Sequence, residues 1–276
     1  MKPPPFEYVA PTSLEEAVAA LAEHGEDAKV LAGGQSLIPL LSLRLARPTA
    51  LIDLNGVTEL SSIQVNGSTS IGAMTRHRAI ERSADIAKAV PLLAAAVPYI
   101  GHAAIRTRGT IGGSLAHADP AAELPAVALA LDATFDVTST RGTRTIAAAD
   151  FFDGYFTTSM APDEILTGVT FPTAAAGTKV SVQEMARRHG DFAMAAVVAS
   201  VSADGDTRLA LVNVADRPYR ATAAEQAANA GAPVEEIADL ATRDLEPVAD
   251  LHASSAYRKH VAGVLVRRAL NEVRNA

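Results

Sequence analysis

Two short stretches combine glycines with small polar residues in a pattern suited to holding a ligand through backbone donors. The first is LAGGQSLIPLLSLR, residues 31–44, and the second is RTRGTIGGSLAHADPAAELP, residues 106–125. Glycine allows positive φ and lets a ligand approach without a Cβ in the way. Successive amides in such a turn form a concave nest of N–H donors suited to phosphate oxygens. Ala32, Gly33, Gly34, Gln35 and Ser36 offer one nest with a hydroxyl and a side-chain amide. Thr110, Ile111, Gly112, Gly113 and Ser114 offer a second. A diphosphate has more oxygens than one short turn satisfies, so two converging nests are expected. For either pair alone the plain alternative is a tight turn. Ser36 is not placed as a nucleophile, because Gly34-Gln35-Ser36-Leu37-Ile38 lacks the second glycine of a nucleophile elbow.

Asp119 and Glu123 stand four residues apart. One reading makes Asp119 the N-cap of a helix with Pro120 at its first position and Glu123 a favourable first-turn charge. The other has these carboxylates accepting hydrogen bonds from a ribose or adenine, and Asp119 is able to do both. Arg106 and Arg108 either face a phosphate or stand in solvent. The seven histidines include no HxxxH or HExxH pair, so His102 and His117 are expected to pack or hydrogen-bond rather than bind a metal. Arg187-Arg188-His189-Gly190-Asp191 is a polar turn that lines a cofactor edge, faces a partner or joins two elements.

The elements that must position these residues read as follows. Ser13-Leu14-Glu15-Glu16 is a capping box opening a helix to about His24, with Gly25 at its end. Strands are expected over Lys29–Ala32 and Thr49–Leu54. A hairpin is expected over Ile63–Ala73 around Asn66-Gly67 and another over Ala133–Ala147 around Arg141-Gly142. Thr75 caps a helix over Arg76–Arg82, Ile86–Val97 is an apolar helix with Pro91 near its start, and a helix runs from Asp119-Pro120 to about Ala130. Glu164–Phe171 reads as a closing strand and residues 173–178, TAAAGT, as a linker. Beyond it come strands over Val180–Met185, Ala195–Ala203 and Thr207–Val214, then helices over Ala221–Ala230, Val234–Ala241 and Ser254–Val273. The fold class is therefore α+β, divided into residues 1–175 and 176–276, the second a three-stranded sheet carrying helices.

Composition narrows the function. A chain of 276 residues with 49% apolar and 20% charged side chains is folded rather than disordered. Its net charge of −7 disfavours nucleic acid or an anionic membrane as main partner, so an anionic ligand must be held by local amides and a few cations. The absence of cysteine excludes disulfides, thiolate nucleophiles and Cys-ligated zinc or iron–sulfur centres in this chain. No apolar run reaches the ~20 residues of a membrane span, and the first residues lack the apolar core of a signal peptide, so a cytoplasmic protein is expected.

Four segments, taken in order, carry a resemblance. LAGGQSLIPLLSLRLARPTALIDLNGV (31–57), IRTRGTIGGSLAHADPAAELPAVALALDA (105–133), QEMARRHGDFAMAA (183–196) and YRKHVAGVLVRRALNEV (257–273) resemble the FAD-binding medium subunit of the molybdenum hydroxylases, the carbon monoxide dehydrogenase and xanthine dehydrogenase family. The resemblance implies an FAD-binding fold of the vanillyl-alcohol-oxidase (PCMH) type, made of two subdomains, with a C-terminal flavoprotein domain. It implies that Ala32–Ser36 binds the FAD diphosphate, that Thr110–Ser114 meets the cofactor from the other side, that carboxylates at Asp119 and Glu123 contact the nucleotide, and that Leu166 touches the cofactor. Many relatives carry asparagine at Ser114, and some carry a lysine within the segment matching Gln183–Met185, where this chain has none. The residue covering the flavin face is not set by pattern; Tyr155, Tyr99 and Ile111 are candidates.

The function so implied is electron transfer inside a complex. A molybdopterin-binding large subunit acts on the substrate, a small subunit relays electrons through two [2Fe–2S] clusters, and FAD in this chain hands them to an external acceptor. The resemblance further implies a dimer of such heterotrimers. Two other readings stand beside it: a self-contained FAD oxidase, which needs a base near the flavin, and a non-catalytic nucleotide-binding or scaffold protein whose glycines only make turns.

Overall fold

The structure, a computed structural model, describes residues 2–275. The chain starts with β1 (Glu7–Val9), α1 (Leu14–His24), β2 (Ala28–Leu31), α2 (Leu37–Ser42) and β3 (Ala50–Asp53). β3 lies between β1 and β2, parallel to both, with Leu31 opposite Asp53. Parallel strands need crossovers, and α1 supplies one, burying Ala17, Val18 and Leu21 against this sheet. The Ser13 hydroxyl accepts from the Glu16 amide at 3.2 Å, while the Glu16 carboxylate reaches back to Thr12, accepting from its N–H at 2.8 Å. Ser13→Ala is expected to cost about 1 kcal/mol. A thermal melt should then fall by ~2–4 °C; an unchanged melt would show that the Thr12–Glu16 contacts hold the helix end alone.

The hairpin of β4 (Ile63–Asn66) and β5 (Ser68–Gly72) forms around Gly67, where φ is +74°. Helices α3 (His77–Arg82), α4 (Ala84–Ala89), α5 (Pro91–Ala96), α6 (Ala103–Arg108), α7 (Ile111–His117) and α8 (Glu123–Ala130) follow. The single helix expected over Ile86–Val97 is two helices. Val90 leaves the helical region at φ −136°, as the residue before a proline is pushed to do, and Pro91 starts a new helix. Nor does Thr75 cap α3: its hydroxyl donates to the Ser62 carbonyl at 3.1 Å, and Arg76 is the extended residue before the helix.

Strands β6 (Thr134–Ser139) and β7 (Gly142–Ala147) form the second hairpin, followed by the small pair β8 (Phe152–Gly154) and β9 (Thr157–Thr158). β10 (Ile165–Pro172), expected as a closing strand, is the centre of the five-stranded antiparallel sheet β4-β5-β10-β6-β7. Phe135, Phe151 and Phe152 pack beneath it, with ring centroids 4.1–5.9 Å apart.

The last part comprises β11 (Lys179–Met185), β12 (Ala195–Val201), β13 (Thr207–Val212), the two-residue β14 (Tyr219–Arg220), and helices α9 (Thr222–Asn229), α10 (Val234–Thr242) and α11 (Ser255–Asn275). The expected three-stranded sheet is thus four-stranded, because Tyr219 and Arg220 pair with Leu211 and Ala210. Both faces of this sheet are covered. Val197, Leu209 and Leu211 pack on α10 and α11, while Val198, Ala210 and Val212 join the core containing Phe135 and α8. β12 accordingly reads as a continuous apolar run. No helix among the described residues is long and apolar enough to cross a membrane.

Candidate functional site

The first glycine turn leaves the sheet at the end of β2. Gly34 takes φ +73°, and the chain enters α2 with Ile38 N–H donating to the Gly34 carbonyl. Gln35 donates from Nε2 to the Gly33 carbonyl at 3.2 Å, which folds its side chain over the turn. The amides of Gly33, Gly34, Gln35, Ser36 and Leu37 donate to no acceptor among the described residues, and neither does the Ser36 hydroxyl. Unpaired backbone donors in succession are the nest expected from the sequence. Gly33, Gly34 and Gln35 line a cleft of about 310 Å³, together with Ile38, Asp53, Asn55 and Arg108.

The second glycine segment is built differently. Thr110 is an N-cap whose hydroxyl accepts from Gly113 N–H at 3.1 Å, so Gly112 and Gly113 lie in the first turn of α7. Ile111 N–H donates to the Thr75 carbonyl at 3.0 Å, Gly112 N–H to Ala73 at 2.8 Å and Ser114 N–H to Thr110 at 3.1 Å. The N–H groups of Ile111, Gly112, Gly113 and Ser114 are therefore spent, two of them on the chain just after β5. Ile111 is fully buried and does not face a ligand. The glycines serve close packing instead: a Cβ on Gly112 would stand 2.8 Å from Ala73 Cα.

The two segments nevertheless meet. A Cβ on Gly113 would lie 3.3 Å from the Ala32 side chain, and one on Gly33 would collide with the Arg108 carbonyl and stand 2.8 Å from Gly109 Cα. Backbone lies directly on backbone here. The floor is completed by residues that the motifs did not single out. Asn55 donates from Nδ2 to the Ala32 carbonyl at 3.0 Å, Asp53 accepts from Tyr8 Oη at 2.5 Å and from Asn55 N–H at 2.9 Å, and Arg76 donates to Asn55 Oδ1 at 2.6 Å and to the Arg108 carbonyl. The signal for two of them was the DLN run of 53–55, where an Asp next to a strand end caps its own backbone. Of the two arginines for which the sequence left open a phosphate or solvent, Arg108 lines the cleft. Arg106 does not: it is buried, paired with Glu81 at 3.1 Å, and donates to the carbonyls of Pro98, Ile100 and Gly101.

The carboxylates lie elsewhere than expected. Asp119 does not cap a helix; its Oδ1 accepts from Ala121 N–H at 2.9 Å in a turn, and α8 begins only at Glu123. Asp119 and Glu123 therefore do not share a helical turn. Glu123 is 7% exposed, and its carboxyl is pushed up to about 8 by burial, with Glu184 and Asp119 adding to the rise. Glu184, on β11, is pushed up to about 7 by burial, and its Oε2 is buried without a partner. Leu166 is 5% exposed in the core and sits at a bulge of β10.

Tyr99 donates to the Val182 carbonyl at 3.1 Å and is structural, whereas Tyr155 is half exposed. His117 packs against Phe156 and has its pKa lowered by burial; His102 packs against Gly190 in the turn joining β11 and β12. A second concavity, about 190 Å³ between Pro91, Leu131, Ala174 and Arg208, lies away from the glycine turns.

Comparison with known proteins places these features. Residues 4–174 match the family model described as the FAD binding domain in molybdopterin dehydrogenase, and residues 180–273 match the CO dehydrogenase flavoprotein C-terminal domain. The chain is 40% identical to the 6-hydroxypseudooxynicotine dehydrogenase complex subunit alpha of Paenarthrobacter nicotinovorans, over 98% of this chain and 95% of that one. It is 39% identical to the carbon monoxide dehydrogenase medium chain of Hydrogenophaga pseudoflava, over 98% of each. A solved structure of carbon monoxide dehydrogenase from Hydrogenophaga pseudoflava, lacking the Mo-pyranopterin moiety of its molybdenum cofactor, superposes with a TM-score of 0.96 at 40% identity, covering 100% of this chain and 99% of that one.

Proposed function

The chain belongs to the FAD-binding medium subunits of the molybdenum hydroxylases, and from that premise we propose that it is the electron-transfer subunit of a dehydrogenase complex. It links [2Fe–2S] clusters of a small partner subunit to an external acceptor, while a molybdopterin-binding large subunit acts on the substrate, the whole forming a dimer of heterotrimers. FAD is the cofactor, and when bound it exchanges electrons singly or as a pair. Residues 1–175 hold it, and residues 176–276 cover the side away from the parallel sheet.

The observation that carries this reading is the nest. Five successive amides from Gly33 to Leu37 lack acceptors among the described residues, at a turn where Gly33 leaves no room for a Cβ. Backbone donors of this kind fit the oxygens of a diphosphate. Ala32–Ser36 hold it, with Arg108 as a cation at the rim. Gly113 and Ser114 approach from α7 as a wall rather than as a second nest, and Thr110 keeps that wall in place. Asp53 is committed to Tyr8 and Asn55, and Arg108 is a permanent cation, so neither is set up as the base that a self-contained oxidase requires.

The test is the visible spectrum of the gently purified chain, with chromatographic identification of the chromophore released on denaturation. FAD at about one per chain is expected, together with co-purification of iron–sulfur and molybdenum subunits from the native source. A colourless chain that takes up no added FAD would overturn the nest as a diphosphate site.

A further inference from the structure

Arg76 lies outside both glycine segments, yet its side chain ties them together. It stands in extended conformation between β5 and α3. One terminal nitrogen, Nη2, donates to Asn55 Oδ1 at 2.6 Å, and Asn55 passes the contact on from Nδ2 to the Ala32 carbonyl at 3.0 Å. The other, Nη1, donates to the Arg108 carbonyl, the atom against which the Gly33 backbone is pressed. One planar fork thus grips both walls of the cleft through separate acceptors, which the single ammonium of a lysine does not reproduce.

The charge of that fork is not balanced from within. Both acceptors are neutral, and among the described residues no carboxylate forms an ion pair with Arg76 or Arg108. Burial lowers the pKa of Arg76, the neighbouring Arg108 cation lowers it further, and Asp53 opposes the shift. Two cations thus converge beside five free amides, in a chain whose net charge is −7. A partly desolvated cation without a counter-ion is costly, and an anion on the nest relieves that cost.

We propose that Arg76 is a positioning residue for the cofactor diphosphate: it sets the spacing of the Ala32–Gly33 and Arg108–Gly109 backbones, and its charge is neutralised when the diphosphate binds. The proposal rests on the FAD reading given above. It separates two properties of the side chain, the fork that spaces the walls and the charge that awaits an anion, and each has its own readout.

The experiment removes the flavin from the purified full chain and titrates FAD back, following flavin fluorescence at low and high salt. Arg76→Met is expected to raise the FAD Kd about ten- to a hundredfold and to weaken its salt dependence, while the melting temperature of the flavin-free chain holds or rises. Arg76→Lys keeps the charge and loses the fork; it should restore the salt dependence but leave the Kd about tenfold high. If Arg76→Met does not fold, Asn55→Ala cuts the same brace on the Ala32 side and should weaken FAD binding about fivefold. Full rescue of affinity by lysine overturns the positioning role. FAD binding within twofold of wild type in Arg76→Met, or in Asn55→Ala where that is the variant available, overturns the proposal while leaving the FAD reading intact. A wild-type chain that takes up no FAD overturns both.

Discussion

Alanine at position 33 is expected to strip the chain of FAD. The added Cβ of Gly33→Ala would meet the Arg108 carbonyl oxygen and stand 2.8 Å from Gly109 Cα and 3.0 Å from the Arg108 carbonyl carbon. All three are backbone atoms of the segment entering α7, and that segment is fixed by its own bonds, with Gly109 O accepting from His77 N–H at 3.0 Å and Ile111 N–H donating to Thr75 at 3.0 Å. No rotamer change relieves the contact, so the two walls must part. Overpacking of this kind costs about 1–3 kcal/mol of stability. The cofactor should suffer more, because the displaced wall carries Arg108 and the displaced turn carries the free amides. Loss of several charge-assisted hydrogen bonds together corresponds to an FAD affinity at least about a hundredfold weaker.

The check is the ratio of FAD to protein after purification, beside a thermal melt of the flavin-free chain. Gly67→Ala is the control. Gly67 also has positive φ, +74°, but a Cβ there meets nothing within 4 Å. That variant should lose about 1 kcal/mol from backbone strain and keep its flavin. If Gly33→Ala retains FAD as Gly67→Ala does, the close approach of the two segments is not what shapes the site.

The contrast between the glycine segments shows what sequence conveys and where it stops. The first nest was legible because everything that makes it is local: a strand, a positive-φ glycine and a helix start within a few residues. The hairpins at Asn66-Gly67 and Arg141-Gly142 were legible for the same reason. The second segment has the same local look, yet its donors go to Ala73 and Thr75, more than thirty residues earlier in the chain. Glycine composition does not reveal whether amides are free; that depends on which strand end comes to rest beside them. Arg106 and Arg108 pose the same problem. Two residues apart on a six-residue helix, they point to different sides, one inward to Glu81 and the other to the cleft. Asp119-Pro120 has the chemistry of a helix start, but Asp119 spends its oxygen on Ala121 N–H, and Ala122 stays extended at ψ 144°, so the helix waits until Glu123. Arg76 belongs to no motif, and its part follows only from the meeting of distant segments.

Glu123→Gln is expected to stabilise the flavin-free chain above neutral pH. Burial, then Glu184 and Asp119, push the Glu123 carboxyl up to about 8 from an ordinary 4.5. The folded chain therefore keeps a proton that the unfolded chain has already released across that window. By linkage, the stability associated with this group is fully present below about 4.5 and is lost as pH rises through about 8. Glu184, raised to about 7, acts in the same direction. Glutamine resembles the protonated acid in size and polarity but has nothing to lose. The variant should match wild type near pH 5 and exceed it near pH 9 by an amount on the order of a few kcal/mol. Urea unfolding across that range measures the difference. A wild-type stability that is flat with pH would mean that Glu123 is ionised throughout and has found a partner. The same variant tests the nucleotide contact that the resemblance implies for Glu123: a protonated carboxyl would meet the nucleotide as a neutral donor, which glutamine imitates with its amide. Should Glu123→Gln weaken FAD binding tenfold or more while stabilising the flavin-free chain, FAD must draw the ionised form, and its binding would then release the stored proton.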